Sequence, residues 1–191
     1  MDAYPPVHYI TTDETRQRAL IAAFPLASFV VSADTGPLLT PLPLILDRQQ
    51  GALAGAELLG HLDRRNPAAQ LLSDGTPALA VFHAQSAYIS PADYHTRQLP
   101  TYNYMQVHVS GSVRLVDESQ AKNDLYALSR AMEPEGRWTL DDDDPRVGPL
   151  LEHITAFRLR IEDVKGRFKL SQDKRQPDRE AAWRKLWAVN S

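Results

Sequence analysis

The sequence predicts an α+β domain dominated by antiparallel β structure, and three observations carry that prediction. Runs of β-branched and aromatic residues recur along the chain. The clearest is Val107–Leu115, where Val107, Val109, Gly111, Val113 and Leu115 alternate with His108, Ser110, Ser112 and Arg114. Fourteen prolines and nine glycines punctuate such runs at short intervals. Three or four capped helical stretches interrupt six or so strands, the pattern of an antiparallel sheet or barrel with peripheral helices. With 191 residues, 43% of them hydrophobic, the chain has the material for one domain, 1–191, with its own core.

The segment from Tyr4 to Thr12 reads as extended. Thr11 and Glu14 form a Thr-x-x-Glu capping box that opens a helix over about 13–23, with Leu20, Ala23 and Phe24 inward. Ala27–Ala33 is a strand, followed by the turn Asp34-Thr35-Gly36-Pro37. Leu38–Leu46 continues extended, but Pro41 and Pro43 lack ladder donors, which assigns it to an edge or a bulge. Leu53–Leu62 is a further strand, and Asn66-Pro67 caps a short helix ending near Leu72. Pro77–His83 and a short Tyr88–Ile89 strand precede Val107–Leu115. Asp117-x-x-Gln120 then caps a helix to about Met132, and Asp141–Asp144 forms an acidic loop. Thr155–Val164 alternates through Phe157, Leu159 and Ile161, and a basic segment leads to a last helix near 178–188, where Trp183 and Trp187 flank Leu186 as an apolar stripe suited to core or dimer packing.

Composition narrows the chemistry. The absence of cysteine excludes disulfides, thiolate nucleophiles and Cys-ligated metal centres. The six histidines share no metal-ligand spacing, and no metal site is expected. No phosphate-loop, nucleophile-elbow or zinc-protease motif is present. A net charge of −3 argues against a nucleic-acid coat. The start shows no basic or apolar leader and no apolar run is long enough to span a bilayer, so a cytoplasmic location is expected.

Three clusters carry polar chemistry. Gly60-His61-Leu62-Asp63-Arg64-Arg65-Asn66-Pro67 brings a strand to a helix start, where His61, Arg64, Arg65 and Asn66 suit either a phosphate monoester or a solvated, capped turn. Tyr88, Tyr94 and Leu99–Tyr104 suit either a flat heteroaromatic pocket or a pinned proline-rich loop. In Lys165–Gln172, alternation sets Lys165, Arg167 and Lys169 opposite Phe168 and Leu170, a basic strip able to hold an anion or an electron-rich ring edge.

Taken in order, these motifs resemble the PaiB-like family, FMN-binding split-barrel proteins described as negative transcriptional regulators. The residues carrying the likeness are Tyr4-Pro5-Pro6-x-His8, Pro43–Asp47, Gly60-His61-Leu62, Arg64, Asn66-Pro67, Ala87–Pro91, Tyr94, Pro100-Thr101, Asn103-Tyr104, Val107-His108, Gly111 and Lys169–Gln172. The resemblance implies a six-stranded split β-barrel that forms a homodimer with FMN at the subunit interface. It implies phosphate contacts from His61, Arg64 and Asn66, to which Arg65 of the same turn is added as a further donor. It implies ring contacts from Tyr88, Ser90, Thr101, Asn103, Tyr104, Lys169, Ser171 and Gln172. The chain departs from the family pattern at Leu39-Thr40-Pro41, Asp63, Arg65, Tyr102 and Asp173, and Arg65 is placed to compensate the charge of Asp63. A flavin-dependent reductase or oxidase, with Lys169 or Tyr104 tuning the ring edge, is an alternative. Haem binding through His61, His95 or His108 is another. DNA binding would rest on the basic residues of 165–185, and no helix-turn-helix pattern accompanies them.

Overall fold

The computed structural model describes residues 5–48, 50–135, 137–141 and 144–188. Tyr4 of the first family motif, and Asp142 and Asp143 of the acidic loop, lie outside them. The strands are β1 (Ile10–Thr11), β2 (Leu26–Ala33), β3 (Gly36–Pro43), β4 (Ile45–Leu46), β5 (Glu57–Asp63), β6 (Pro77–Ile89), β7 (Thr101–Leu115) and β8 (Ile154–Lys169). The helices are α1 (Glu14–Ala23), α2 (Glu118–Met132), α3 (Val147–His153) and α4 (Gln176–Ala188). The sheet runs β3-β2-β6-β7-β8-β5-β4, with β1 paired to β8. The class is the predicted one, antiparallel β of the split-barrel type, with eight strands in place of six. None of the described helices is long and apolar enough to cross a membrane.

The chain divides into two compact units, one made of residues up to Phe24, Phe82–His108 and from Lys165 onward, the other of Pro25–Val81 and Val109–Val164. The second unit is where the sheet closes. β2 and β3 pair from Leu26↔Pro43 to Ala33↔Gly36 around the two-residue turn Asp34-Thr35. Pro37, Pro41 and Pro43 share one parity along β3, so the donors they lack all fall on the same side, the free edge. One residue later the chain reappears at the opposite end of the strand order, where β4 pairs with β5 through Ile45↔Leu59 and Leu46↔Leu58. Leu44, the joint, is fully buried and donates its N–H to Pro25 O at 2.9 Å. Consecutive strands at opposite ends of one order require the sheet to curl on itself.

Phe29 and Phe157, ring centroids 5.0 Å apart, fill the interior with Leu44, Leu58, Leu159 and Ile161. Gly111 permits the close β7–β8 approach: a Cβ there would sit 1.9 Å from Arg160 O. Helix α2 is capped by Asp117, whose carboxylate accepts from Gln120 N–H at 2.8 Å, as its sequence predicts. Its Ala121, Leu125 and Tyr126 pack with Val147, Leu151 and Ile154. Helix α3 had no sequence signature strong enough to predict it: Pro149 and Gly148 sit inside its seven residues. Strand β5 begins at Glu57, not Leu53, because Leu53–Ala56 forms a turn through Gly55 at φ +80°.

In the first unit, β1 pairs with the end of β8 through Ile10↔Arg167 and Thr11↔Gly166. The cap of α1 is Asp13, accepting from Thr15 and Arg16 N–H, because the backbone of Thr11 is committed to that ladder. Its buried face is Gln17, Leu20 and Ile21, with Ala23 exposed. Pro77–His83 and Tyr88–Ile89 belong to one strand, β6. Ala182 and Leu186 of α4 pack on Ala87, Ile89 and Tyr94. Asp178, fully buried, ties the 95–98 loop to α4 by accepting from His95 N–H at 2.7 Å, from Thr96 N–H at 3.0 Å and from the Thr96 hydroxyl.

Candidate functional site

In the second unit, β5 delivers His61 and Asp63 to a turn through Arg64–Pro67. Arg65 donates Nε to Asp63 Oδ1 at 3.0 Å and Nη2 to Oδ2 at 2.7 Å. This fork, with the Arg65 N–H on the same carboxylate, holds the Asp63 carboxyl far below its usual range. The charge that Asp63 introduces is thus neutralised inside the turn. Arg64 donates its N–H to His153 O at 2.8 Å and Nη2 to Ile154 O at 3.1 Å. It lines a cavity of about 510 Å³ together with Glu118 and Glu152.

Asn66 Oδ1 accepts from Ala68 N–H at 2.9 Å, an Asx turn, and the following helix is a single 3-10 turn, Ala69–Leu71. Three residues carry no appreciable macrodipole, so the expected helix dipole is missing from this end of the turn. His61 lines an apolar cleft of about 300 Å³ among Leu125, Leu128, Leu140 and Leu150. Its Nδ1 is buried with no hydrogen-bond partner, and burial pushes the imidazole down from its ordinary pKa. The four side chains expected at one phosphate end therefore serve four different surroundings.

The eight residues expected around a ring all fall in the first unit. Lys169 closes β8 and donates Nζ to Thr101 Oγ1 at 2.5 Å, 5.8 Å from the Tyr9 ring centroid. These three line a cavity of about 150 Å³ with Asp173 and Lys174. Burial pushes the Asp173 carboxyl up, but the Lys174 ammonium at 2.6 Å outweighs it and the net displacement is down. Burial, then the charge of Asp173, raises the Tyr9 phenol. Behind this surface Ser171 holds φ at +59°, the one positive value outside glycine among the described residues. Its Oγ lies 3.0 Å from Asn103 Nδ2 and 3.1 Å from the Tyr94 hydroxyl, with Asn103 and Ser171 both buried. Gln172 Nε2 donates to His8 O at 2.7 Å and Phe168 O at 2.5 Å, while its Oε1 accepts from Leu170 N–H at 2.6 Å. Ser90 caps a 3-10 turn in a capping box with Asp93.

The set divides by burial: Asn103 and Ser171 are buried, whereas Tyr88, Ser90, Thr101, Tyr104, Lys169 and Gln172 keep accessible surface. The partners of His108 escaped the sequence reading. Gln106 Nε2 lies 3.0 Å from His83 Nδ1, and Gln106 Oε1 lies 3.3 Å from His108 Nε2. Burial lowers the His108 pKa first, and electrostatic repulsion from the side chains of Arg167, His83 and Lys165 lowers it further. The signal was the polar face of Val107–Leu115; what it lacked was the identity of the neighbouring strands. Among the described residues no three His, Asp or Glu side chains gather as a metal site.

The family model described as "Putative FMN-binding domain" matches residues 3–163. The protease synthase and sporulation protein PAI 2 of Bacillus subtilis is 26% identical over 153 residues, covering 78% of this chain and 72% of that protein. The chain belongs to the PaiB-like FMN-binding family. The family match stops short of Lys169–Gln172, so the last motif of the resemblance lies beyond it. An uncharacterized protein of Emericella nidulans, AN0679, is 23% identical over 177 residues, with 73% of this chain and 70% of that protein covered. Among solved structures, the FAD and haem binding protein from Mycobacterium smegmatis superposes with a TM-score of 0.67 at 19% identity, over 91% of this chain and 80% of that one. The flavocytochrome Anf3 from Azotobacter vinelandii gives 0.64 at 16% identity, over 96% and 77%. At these identities the two structures speak to the fold.

Proposed function

We propose that the protein binds FMN as a homodimer and that Tyr88, Thr101, Tyr104 and Lys169 contact the isoalloxazine ring. The observation that carries the proposal is Lys169, an ammonium oriented by Thr101 Oγ1 at the mouth of a small cavity, in a chain of the FMN-binding family. An oriented cation suits the electron-rich carbonyl edge of a flavin, and tyrosine rings suit its faces. Flavin, when bound, supplies reversible two-electron chemistry; the protein supplies orientation and charge. Exposed Tyr88, Leu99 and Tyr102 on the same unit give a second copy apolar surface to cover.

A regulatory role in transcription enters the proposal through the family resemblance, and the relative's name, a sporulation protein, is in keeping with it. The net charge of −3 favours regulation without broad electrostatic attachment to DNA.

Fluorescence titration of FMN into the protein tests the reading. Saturable quenching, reduced about tenfold in Lys169→Met and partly restored in Lys169→Arg, is the expected result. Equal uptake by all three removes Lys169 from the site, and no uptake by any removes the proposal. Light scattering that gives the mass of one chain, with FMN bound, removes the dimer.

A further inference from the structure

The first unit holds a second cavity, about 610 Å³, at the opposite side of the β8 terminus from Lys169 in sequence alternation: Phe168 and Leu170 line it, and Lys169 does not. Ile10 and Trp183 complete its apolar wall, and Arg16 and Arg179 bring cations to it. Ile10 and Trp183 are each 43% exposed, large apolar surface left open beside a concavity. The Trp183 ring is fixed edge-to-face on Trp187, centroids 5.5 Å apart. The wall is preformed as well. Gln172 staples His8 to Phe168 through its amide, and the β1–β8 pairing fixes Ile10.

We propose that this cavity binds a planar aromatic carboxylate of one or two rings, at a site separate from the flavin. Its volume lies in the range of small-molecule sites, roughly 300–1,000 Å³. Trp183 and Phe168 offer ring faces, and two guanidinium forks match a carboxylate. Two carboxylates lie beside these cations. Glu180 accepts from Gln176 Nε2 at 2.9 Å, and Asp13 meets Arg16 at 3.2 Å in an exposed pair that an incoming carboxylate can displace. The arrangement rewards an aromatic body joined to an anion over either alone.

Calorimetric titration of the full chain with naphthoate and with its neutral counterpart, naphthylmethanol, is the test, run before and after FMN loading. Naphthoate binds one site per chain and about tenfold or more tighter than the alcohol, in both preparations. Arg16→Gln with Arg179→Gln abolishes that preference while leaving alcohol binding, and Trp183→Leu weakens both ligands; all three substitutions fall at exposed side chains and leave FMN uptake unchanged. Absence of saturable binding overturns the proposal, as does equal affinity for acid and alcohol. Loss of FMN uptake in these variants also overturns it, by assigning the cavity to the flavin. Naphthoate binding in a protein that takes up no FMN sustains this site and refutes the flavin proposal instead.

Discussion

Replacing Arg158 with alanine strands a buried carboxylate, and the structure sets the size of the loss. Arg158 donates Nε and Nη2 to Asp124 at 2.9 and 2.6 Å and Nη1 to Glu57 at 2.9 Å. The Asp124 side chain is only 5% exposed, and without Arg158 it keeps a partner on its own helix, Gln120 Nε2 at 2.9 Å. Glu57 fares better, because Arg114 still grips it with a fork of 3.0 and 2.9 Å. The cost therefore concentrates on Asp124. Breaking a buried pair costs about 3–5 kcal/mol, and the surviving hydrogen bonds place this case near the lower figure, about 3 kcal/mol. In a chain of this size that lowers Tm by roughly 6–12 °C. Removing both charges, as Arg158→Met with Asp124→Leu, recovers most of the loss because no charge is left stranded. Urea and thermal unfolding of the three proteins measure it. A single variant within about 1 kcal/mol of the parent, or a double variant no better than the single, refutes the reasoning.

The Arg114 hydrogen bond, with that of Arg158, lowers the Glu57 pKa against the opposing effect of burial. The stability it gives is present above its ordinary value of 4.5 and is lost as pH falls through the lower folded value; Arg114→Ala flattens that acid limb in melts recorded against pH. His61 has the same direction for a different reason: burial favours its neutral form, so stability falls as pH drops below the ordinary 6.5. His61→Phe removes that contribution and the unpartnered Nδ1, visible as a shallower fall in Tm between about pH 7 and 5, the slope that remains belonging to His108. Gly111→Ala drives a methyl into Arg160 O, where backbone must yield, and destabilises by about 3 kcal/mol or more, or prevents soluble expression. Arg65→Ala with Asp63→Ala leaves FMN affinity unchanged in the same quenching titration, since the pair cancels its own charge.

Periodicity and turn chemistry made much of the fold legible. The alternation of Val107–Leu115, the Asp117 cap and the prolines of β3 each state a local requirement that only one placement satisfies. Strand ends were less legible, since β6 and β7 run on through Ala84–Ser86 and Thr101–Gln106, where no apolar alternation marks them. Helix α3 hid behind its Gly148-Pro149 pair and is held by packing against α2, a tertiary effect.

The candidate site was legible as residues and illegible as roles. Asn103 and Ser171 look like ligand donors in sequence, yet long-range partners 68 residues apart turn them into a buried brace. Arg64 and Arg65 are adjacent, but one serves Ile154 and the other Asp63. Motif order identifies a family; which polar atom is already satisfied is decided by contacts between distant segments.

The most direct test of the central claim is the visible absorbance spectrum of the purified full chain after incubation with FMN and desalting, with the released pigment identified by chromatography. Retained flavin absorbance is expected, with FMN as the released species, one per chain. A colourless protein after desalting, at a concentration where quenching also shows no uptake, would contradict it.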